Sequence, residues 1–268
     1  MNLVSRVLVA VVALPLLLLV VWQGGWWLFG VALLAALVGL HEYVTMVRQL
    51  RPLTLACYLG ALLMLLGAAL GGIEWLLGGF LASVLVAFVL HGVADTRQPP
   101  TVAIGSTVLG TAWVGFGLAH LLLLRELPEF GLLVLVTVLL AVFAADTLAF
   151  FVGRLLGRHK LAPVMSPGKT WEGFLAGTVA AVVVAFFALY EDRAEFLGIW
   201  QALVLGLVVA LSSVIGDLFE SALKRDMQVK DTGRILGGHG GVLDRIDSLL
   251  FAAPAAYYLV LAFGHGPG

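Results

Sequence analysis

Charge is what this sequence has least of. Its 268 residues include only 15 Lys or Arg and 16 Asp or Glu, 12% in all, against 62% hydrophobic residues and a mean hydropathy of +1.08. Soluble domains carry roughly 25% charged and about 45–50% apolar residues, and a chain of this length has no interior large enough to hide the excess. The shortage excludes disorder, a secreted disulfide scaffold and a nucleic-acid-binding domain together. A single cysteine, Cys57, allows no internal disulfide. There is no Cys/His spacing suited to zinc and no Gly-x-Ser-x-Gly elbow, so zinc hydrolysis and covalent acyl chemistry have no support. Strong internal repeats and low-complexity tracts are also missing. The net charge of −1 points to no partner.

What is present is a series of apolar runs. A helix needs about 20 such residues to cross about 30 Å of hydrocarbon. Nine runs qualify, at approximately Val4–Trp22, Trp26–Val47, Leu53–Leu70, Trp75–His91, Val102–Leu124, Phe130–Gly153, Trp171–Leu189, Trp200–Ala222 and Ser248–Phe263. Short breaks such as Gln23-Gly24-Gly25, Gly71-Gly72 and Glu191-Asp192-Arg193 separate them. The runs are apolar all round, whereas barrel strands would alternate. The expected fold is therefore all-α, a polytopic integral membrane protein with about nine transmembrane helices. No small-x-small cleavage site closes the first run, which is read as a retained helix.

In the nine-helix arrangement Arg6, Arg48, Arg51, Arg97, Arg154, Arg158, Lys160, Lys169, Lys224, Arg225, Lys230, Arg234 and Arg245 fall on one side, and only Arg125 and Arg193 on the other. Cytoplasmic loops retain positive charge, so the N-terminus is expected in the cytoplasm and the C-terminus outside. One domain over residues 1–268 is the simplest organisation: residues 1–125 supply mainly anchoring helices, and 126–268 the catalytic portion with cytoplasmic loops 154–170 and 223–247.

Ionisable residues inside spans are costly and mark sites or pathways by default. Asp146 lies in the sixth span, and Asp217 and Glu220 lie near the inner end of the eighth. Asp217, Ser221 and Lys224 share one helical face, flanked by Glu220 and Arg225. That face could hold a metal and an anion, or could consist of neutralising pairs such as Asp217 with Lys224. His41 and Glu42, near the inner end of the second helix, read as an interfacial polar pair.

Residues 221–247 interleave Asp226, Asp231, Asp244 and Asp247 with Lys224, Arg225, Lys230, Arg234 and Arg245, among five glycines. Such mixing suits a phosphate-rich substrate carried with a hard cation. Gly237, Gly238, Gly240 and Gly241 would let backbone amides approach oxyanions, and the start of the ninth helix favours an anion or a carboxylate near Asp244 and Asp247. His239 could bind phosphate or carry a proton. In the other loop, Gly168-Lys169-Thr170 is not a phosphate loop, because Pro163 stands where the first glycine is required and no strand is expected ahead of it. Ser166 or Thr170 is instead the expected cap of the seventh helix, with Lys169 facing a phosphate or anchoring the inner surface.

The segment Ser221-x-Leu223-Lys224-Arg225, Lys230-Asp231-x-Gly233, His239-Gly240-Gly241-x-x-Asp244-Arg245-x-Asp247 resembles the signature of the phosphatidate cytidylyltransferases (CDP-diacylglycerol synthases). Ser166 to Gly173, Gly216 to Ser221, and Asp146 with Gly153-Arg154 resemble the same family, whose frequent proline is replaced here by Gly237. Residues 1–145 match it only in hydrophobic architecture. The resemblance implies that CTP and phosphatidic acid are converted to CDP-diacylglycerol and pyrophosphate in phospholipid biosynthesis. It implies Mg²⁺, with room for a second cation, held by Asp217 and Asp244 with Asp247 or Asp231 in support. Lys224, Arg225, Lys230, Arg245 and Lys169 would hold phosphates, Asp231 and His239 would assist the chemistry, and Ser166, Thr170, Ser221, Gly240 and Gly241 would line the substrates. Acyl chains must stay in hydrocarbon, so the site should open sideways to the inner leaflet. The implied setting is the cytoplasmic face of a bacterial inner membrane, with no nucleic-acid partner and a homodimer as default assembly. Two rival readings are a CTP-dependent lipid-alcohol kinase and a cation-coupled transporter. The transporter would be expected to show inverted repeats with polar residues at the midplane.

Overall fold

The computed structural model describes residues 15–94, 98–233 and 240–266. The expectations on Arg6, Arg97, Arg234, Gly237, Gly238 and His239 lie outside the described residues. The helices are residues 15–23 (α1), Gly25–Met46 (α2), Thr54–Val93 (α3), Pro100–Gly110 (α4), Gly117–Arg125 (α5), Gly131–Leu156 (α6), Trp171–Leu189 (α7), Ile199–Asp226 (α8) and Leu243–Ala262 (α9). A π-helical turn at Thr111–Phe116 makes α4 and α5 one continuous span, Pro100–Arg125. Among the described residues, seven helices are long and apolar enough to cross a membrane. The expected all-α character needs one amendment, a two-stranded antiparallel hairpin of Lys160–Ala162 (β1) and Ser166–Thr170 (β2).

The 40-residue α3 is not one rod. Gly71 and Gly72 leave helical geometry, and Gly72 has φ 66° and ψ −150°, a backbone state that a side chain disfavours. The chain reverses there. A Cβ on Gly60 would meet Ser83, one on Gly79 would meet the backbone of Leu63 and Met64, and one on Gly67 would meet that of Trp75 and Leu76. These contacts define an antiparallel helical hairpin whose arms touch through glycine. The break at Gly24-Gly25 likewise rests on two positive φ values, 65° and 49°.

The chain divides into two compact units, one of residues 1–125 with 231–245, the other of residues 126–230 with 246–268. In the first, Tyr43 is fully buried and donates from its hydroxyl to the Ser106 carbonyl at 2.7 Å, joining α2 to α4. Thr107 Oγ1 accepts from the Leu53 amide at 2.8 Å. Arg125 closes the unit by donating to the Val21 and Trp22 carbonyls, both at 2.9 Å, which satisfies the open end of α1.

The second unit is built on small residues. The buried face of α7 repeats every four positions as Gly173, Gly177, Ala181, Ala185 and Leu189. A Cβ on Gly173 or Gly177 would strike the carbonyl of Ala149 or Ala145 on α6, and one on Gly206 would strike Ala181 and Val182. Lipid tails are as apolar as the side chains here, so close backbone approach rather than hydrophobic transfer holds such helices together. Large apolar side chains instead face outward, among them Phe143, Phe187 and Leu175 in this unit and Leu81, Leu85 and Phe88 in the other.

Candidate active site

In the second unit α8 turns one stripe of polar residues toward α6, α7 and α9: Ser213, Asp217, Glu220, Ser221 and Lys224, at the three- and four-residue spacing of a helix. Ser213 donates to Asp146 Oδ1 at 3.4 Å, and Ser221 donates to Asp217 Oδ1 at 3.3 Å. Asp217 Oδ2 pairs with Lys169 Nζ at 2.7 Å, and Glu220 Oε1 pairs with Lys224 Nζ at 3.1 Å. Glu220 is fully buried and lies in hydrogen-bonding reach of Asp247. Asp146, Asp217 and Asp247 are near enough to act on one another electrostatically. Gly216 brings α9 in: a Cβ there would lie 2.5 Å from the Asp247 carbonyl.

Lys169 reaches this stripe because the hairpin is tied down at several points. Thr170 caps α7, its Oγ1 accepting from the Gly173 amide at 3.2 Å. The His159 carbonyl accepts from the Trp171 amide at 2.9 Å, and His159 Nδ1 lies 2.6 Å from Glu172 Oε1 in the first turn of α7. Arg225 Nε donates to the Met165 carbonyl at 3.2 Å, anchoring the hairpin turn to α8.

Several expectations are corrected by these positions. Ser166 lies in β2 and is not the helix cap; Thr170 alone has that role. A strand does precede Gly168-Lys169-Thr170, but it is three residues long and pairs antiparallel with β2, so the phosphate-loop reading still fails. Asp217 pairs with Lys169 from another element, and Lys224 pairs with Glu220. The two charged loops expected at 154–170 and 223–247 are shorter than that: α6 runs to Leu156, α8 runs to Asp226 and α9 begins at Leu243. Lys224 and Arg225 are thus held on α8, and Asp244, Arg245 and Asp247 on α9. Lys230, Asp231, Arg225 and Arg245 are exposed.

In the first unit, Asp244 Oδ2 accepts from the Gly241 amide at 2.7 Å and the Thr232 amide at 3.2 Å, drawing residue 232 to the start of α9. Gly240 has φ +79°. Beside them stands Glu42, whose Oε1 and Oε2 accept from the Val242 and Leu243 amides at 3.0 and 2.9 Å. The expected His41–Glu42 pair is therefore split. His41 is exposed and meets Tyr58 at 3.2 Å, while Glu42 is 2% exposed. A carboxylate inside a span was the available signal.

The second unit's stripe is a membrane-helix site with four carboxylates, Asp146, Asp217, Glu220 and Asp247, against two lysines, Lys169 and Lys224. Carboxylates and lysines gathered in membrane helices are residue types that phosphoryl transfer uses. The chain belongs to the cytidylyltransferase family, which it matches over residues 4–263. It is 33% identical to the phosphatidate cytidylyltransferase of Staphylococcus haemolyticus over 96% of this chain and 98% of that one. It is 34% identical to the Staphylococcus epidermidis protein of the same name over the same shares. Over 49% of this chain and 46% of the relative, identity to the Haemophilus influenzae phosphatidate cytidylyltransferase reaches 45%. Neither the lipid-alcohol kinase nor the transporter gains support from these relatives.

Proposed function

We propose that this protein transfers CMP from CTP to phosphatidic acid, giving CDP-diacylglycerol and pyrophosphate, with the α8 stripe at the reacting phosphates. The observation that carries the placement is the gathering of Asp146, Asp217, Glu220 and Asp247 beside Lys169 and Lys224 among apolar helices. Carboxylate oxygens so placed are ready partners for a hard cation. The donor set is all oxygen, which suits Mg²⁺. Among the described residues no three or more His, Cys, Asp or Glu side chains stand ready as a cage, and Mg²⁺ is commonly held by one or two carboxylates with substrate phosphates and water completing its shell. Asp217 and Asp247 would hold it, and Asp244 is the principal ligand that the signature implies beside Asp217. When bound, Mg²⁺ would offset charge on the triphosphate.

The chemistry asks little covalent work of the protein. A phosphate oxygen of phosphatidic acid attacks the α-phosphorus of CTP, the bond from that phosphorus to the β-phosphate bridge breaks, and pyrophosphate leaves with the electron pair. The lipid itself is the nucleophile. Lys169 and Lys224 hold phosphate oxygens, and Arg225, Lys230 and Arg245 draw in the triphosphate from the aqueous side. Purified protein given phosphatidic acid, Mg²⁺ and CTP labelled in the cytidine is expected to place label in the lipid fraction. EDTA should abolish the transfer, and added Mg²⁺ should restore it. Movement of the γ-phosphate alone would overturn this reading.

The topology is part of the same proposal. Counting the two arms of α3 separately and α1 as the first span gives nine crossings, with the N-terminus and the site at the cytoplasmic face of the bacterial inner membrane and the stripe open sideways to the inner leaflet. Because Cys57 is the lone cysteine and is buried, a Cys57→Ser background permits a direct check. A cysteine placed at Arg158 should react with a membrane-impermeant maleimide only in inverted vesicles, and one at Glu191 only in intact cells or right-side-out vesicles. The reverse pattern would refute the orientation.

A further inference from the structure

Glu42 belongs to the N-terminal half, where the sequence suggested mainly anchoring helices and an interfacial polar pair, yet its carboxylate lies against the signature segment 200 residues away. It is buried, and both oxygens are committed to the amides where α9 begins, Val242 just ahead of it at 3.0 Å and Leu243 at 2.9 Å. A helix N-terminus presents amides without intrahelical partners and a partial positive charge, so a carboxylate there is both bonded and electrostatically favoured. Asp244 takes the neighbouring Gly241 amide at 2.7 Å and the Thr232 amide at 3.2 Å. Two carboxylates thus divide the amides of Gly241, Val242 and Leu243, and no substrate oxyanion is needed to satisfy them.

The glycines of the segment follow from this packing. A Cβ on Gly233 would land on Glu42 Oε1, with Glu42 Cδ and Cγ next nearest, and one on Gly241 would land on Glu42 Oε2 and Thr232 Oγ1. The chain on both sides of the segment closes around one buried carboxylate. We infer that Glu42 is a positioning residue: it caps α9 from α2 and holds the backbone at Gly233 and Gly241 so that Asp244 keeps a fixed orientation. The inference rests on the reading of Asp244 as a metal ligand. Groups that orient a metal ligand from outside typically change metal affinity or activity about 10–100-fold when removed.

The test uses the full-length protein in detergent or liposomes and reads CMP transfer against Mg²⁺ concentration, per folded molecule. Glu42→Gln keeps the shape but turns an amide N–H₂ toward one of the two backbone donors. It should lower kcat at least about tenfold and raise the Mg²⁺ needed for half-maximal rate by a similar factor. Gly233→Ala, whose Cβ must displace the Glu42 carboxylate, should do the same. Read without turnover, the Mg²⁺ concentration needed to raise the unfolding temperature should climb by a similar factor in both variants. An unchanged Mg²⁺ requirement in Glu42→Gln, by rate and by unfolding temperature, overturns the inference. An Asp244→Asn control with an unaltered Mg²⁺ requirement would instead overturn the metal reading beneath it.

Discussion

Asp217→Asn is expected to lower CMP transfer about 10²–10³-fold, the range seen when one preorganised charge-stabilising group is taken from an active site, and to raise the Mg²⁺ requirement. The substitution keeps the side-chain volume and an oxygen able to accept from Ser221, which now donates to Asp217 Oδ1 at 3.3 Å, so folded yield should be unaffected. The competing view is that Asp217 merely neutralises Lys169, 2.7 Å away. Magnitude separates the two. The side chains are 21% and 35% exposed, and partly exposed pairs contribute about 0.2–1 kcal/mol after solvent screening, equivalent to at most about fivefold. Lys169→Met should therefore raise the KM for CTP with a modest change in kcat, and Asp217→Asn should depress kcat far more. In the double variant the losses should exceed those of Asp217→Asn alone, since the lysine meets phosphate as well as carboxylate. Equal effects of the two single changes, no further loss in the double variant and an unmoved Mg²⁺ curve would reduce Asp217 to half of an ion pair.

What could be read in advance was set by the range of the signal. Hydrophobic length placed the spans, and Trp171–Leu189 was bounded to the residue because Thr170 caps it and a polar stretch follows it. The Gly71-Gly72 break could be read because an interruption in an apolar run has few physical meanings, and here the chain reverses at that point. The α8 stripe was visible for the same local reason: residues four apart on a helix share a face whatever surrounds them. Partner choice was only partly local. Lys224 pairs with Glu220, the i, i+4 neighbour that helical spacing favours over Asp217, seven residues away, while Asp217 finds its cation on β2, 48 residues earlier in the chain. Helical periodicity says nothing of that second partner. The hairpin was hidden because Ser166-Pro167-Gly168 has poor strand propensity; it exists through ties to α7 and α8 from His159, Thr170 and Met165. Glu42 was hardest, since its partners are backbone amides, which carry no residue identity to be read.

Gly216→Ala should be nearly as damaging as loss of a ligand, although it adds one methyl group and removes no charge. A Cβ at that position would lie 2.5 Å from the Asp247 carbonyl oxygen, 3.2 Å from Ser248 Cα and 3.2 Å from Phe251. The ring can turn aside, but the carbonyl and Cα belong to the backbone of α9, so the two helices must separate. Asp217 follows directly in α8, and the displaced carbonyl belongs to Asp247 itself. The methyl group therefore widens the gap between the two carboxylates assigned to the metal. Misplacement by about 1 Å can cost about 10²-fold in rate, and a loss of that order in kcat, with a raised Mg²⁺ requirement, is the expected result. Two further alanines isolate the cause. Gly105 lies inside α4 with open space where a Cβ would go, so Gly105→Ala should leave activity intact and gain about 0.5–1 kcal/mol of helix stability. Gly206 packs equally tightly, 2.6 Å from Val182 Cα, but at the α7–α8 contact, about three helical turns from Asp217. Its substitution should lower the unfolding temperature while leaving the Mg²⁺ curve of the remaining folded protein unchanged. If Gly216→Ala and Gly206→Ala behave alike, helix contact in general rather than the α8–α9 spacing limits activity, and the two-carboxylate geometry assigned to Asp217 and Asp247 is wrong.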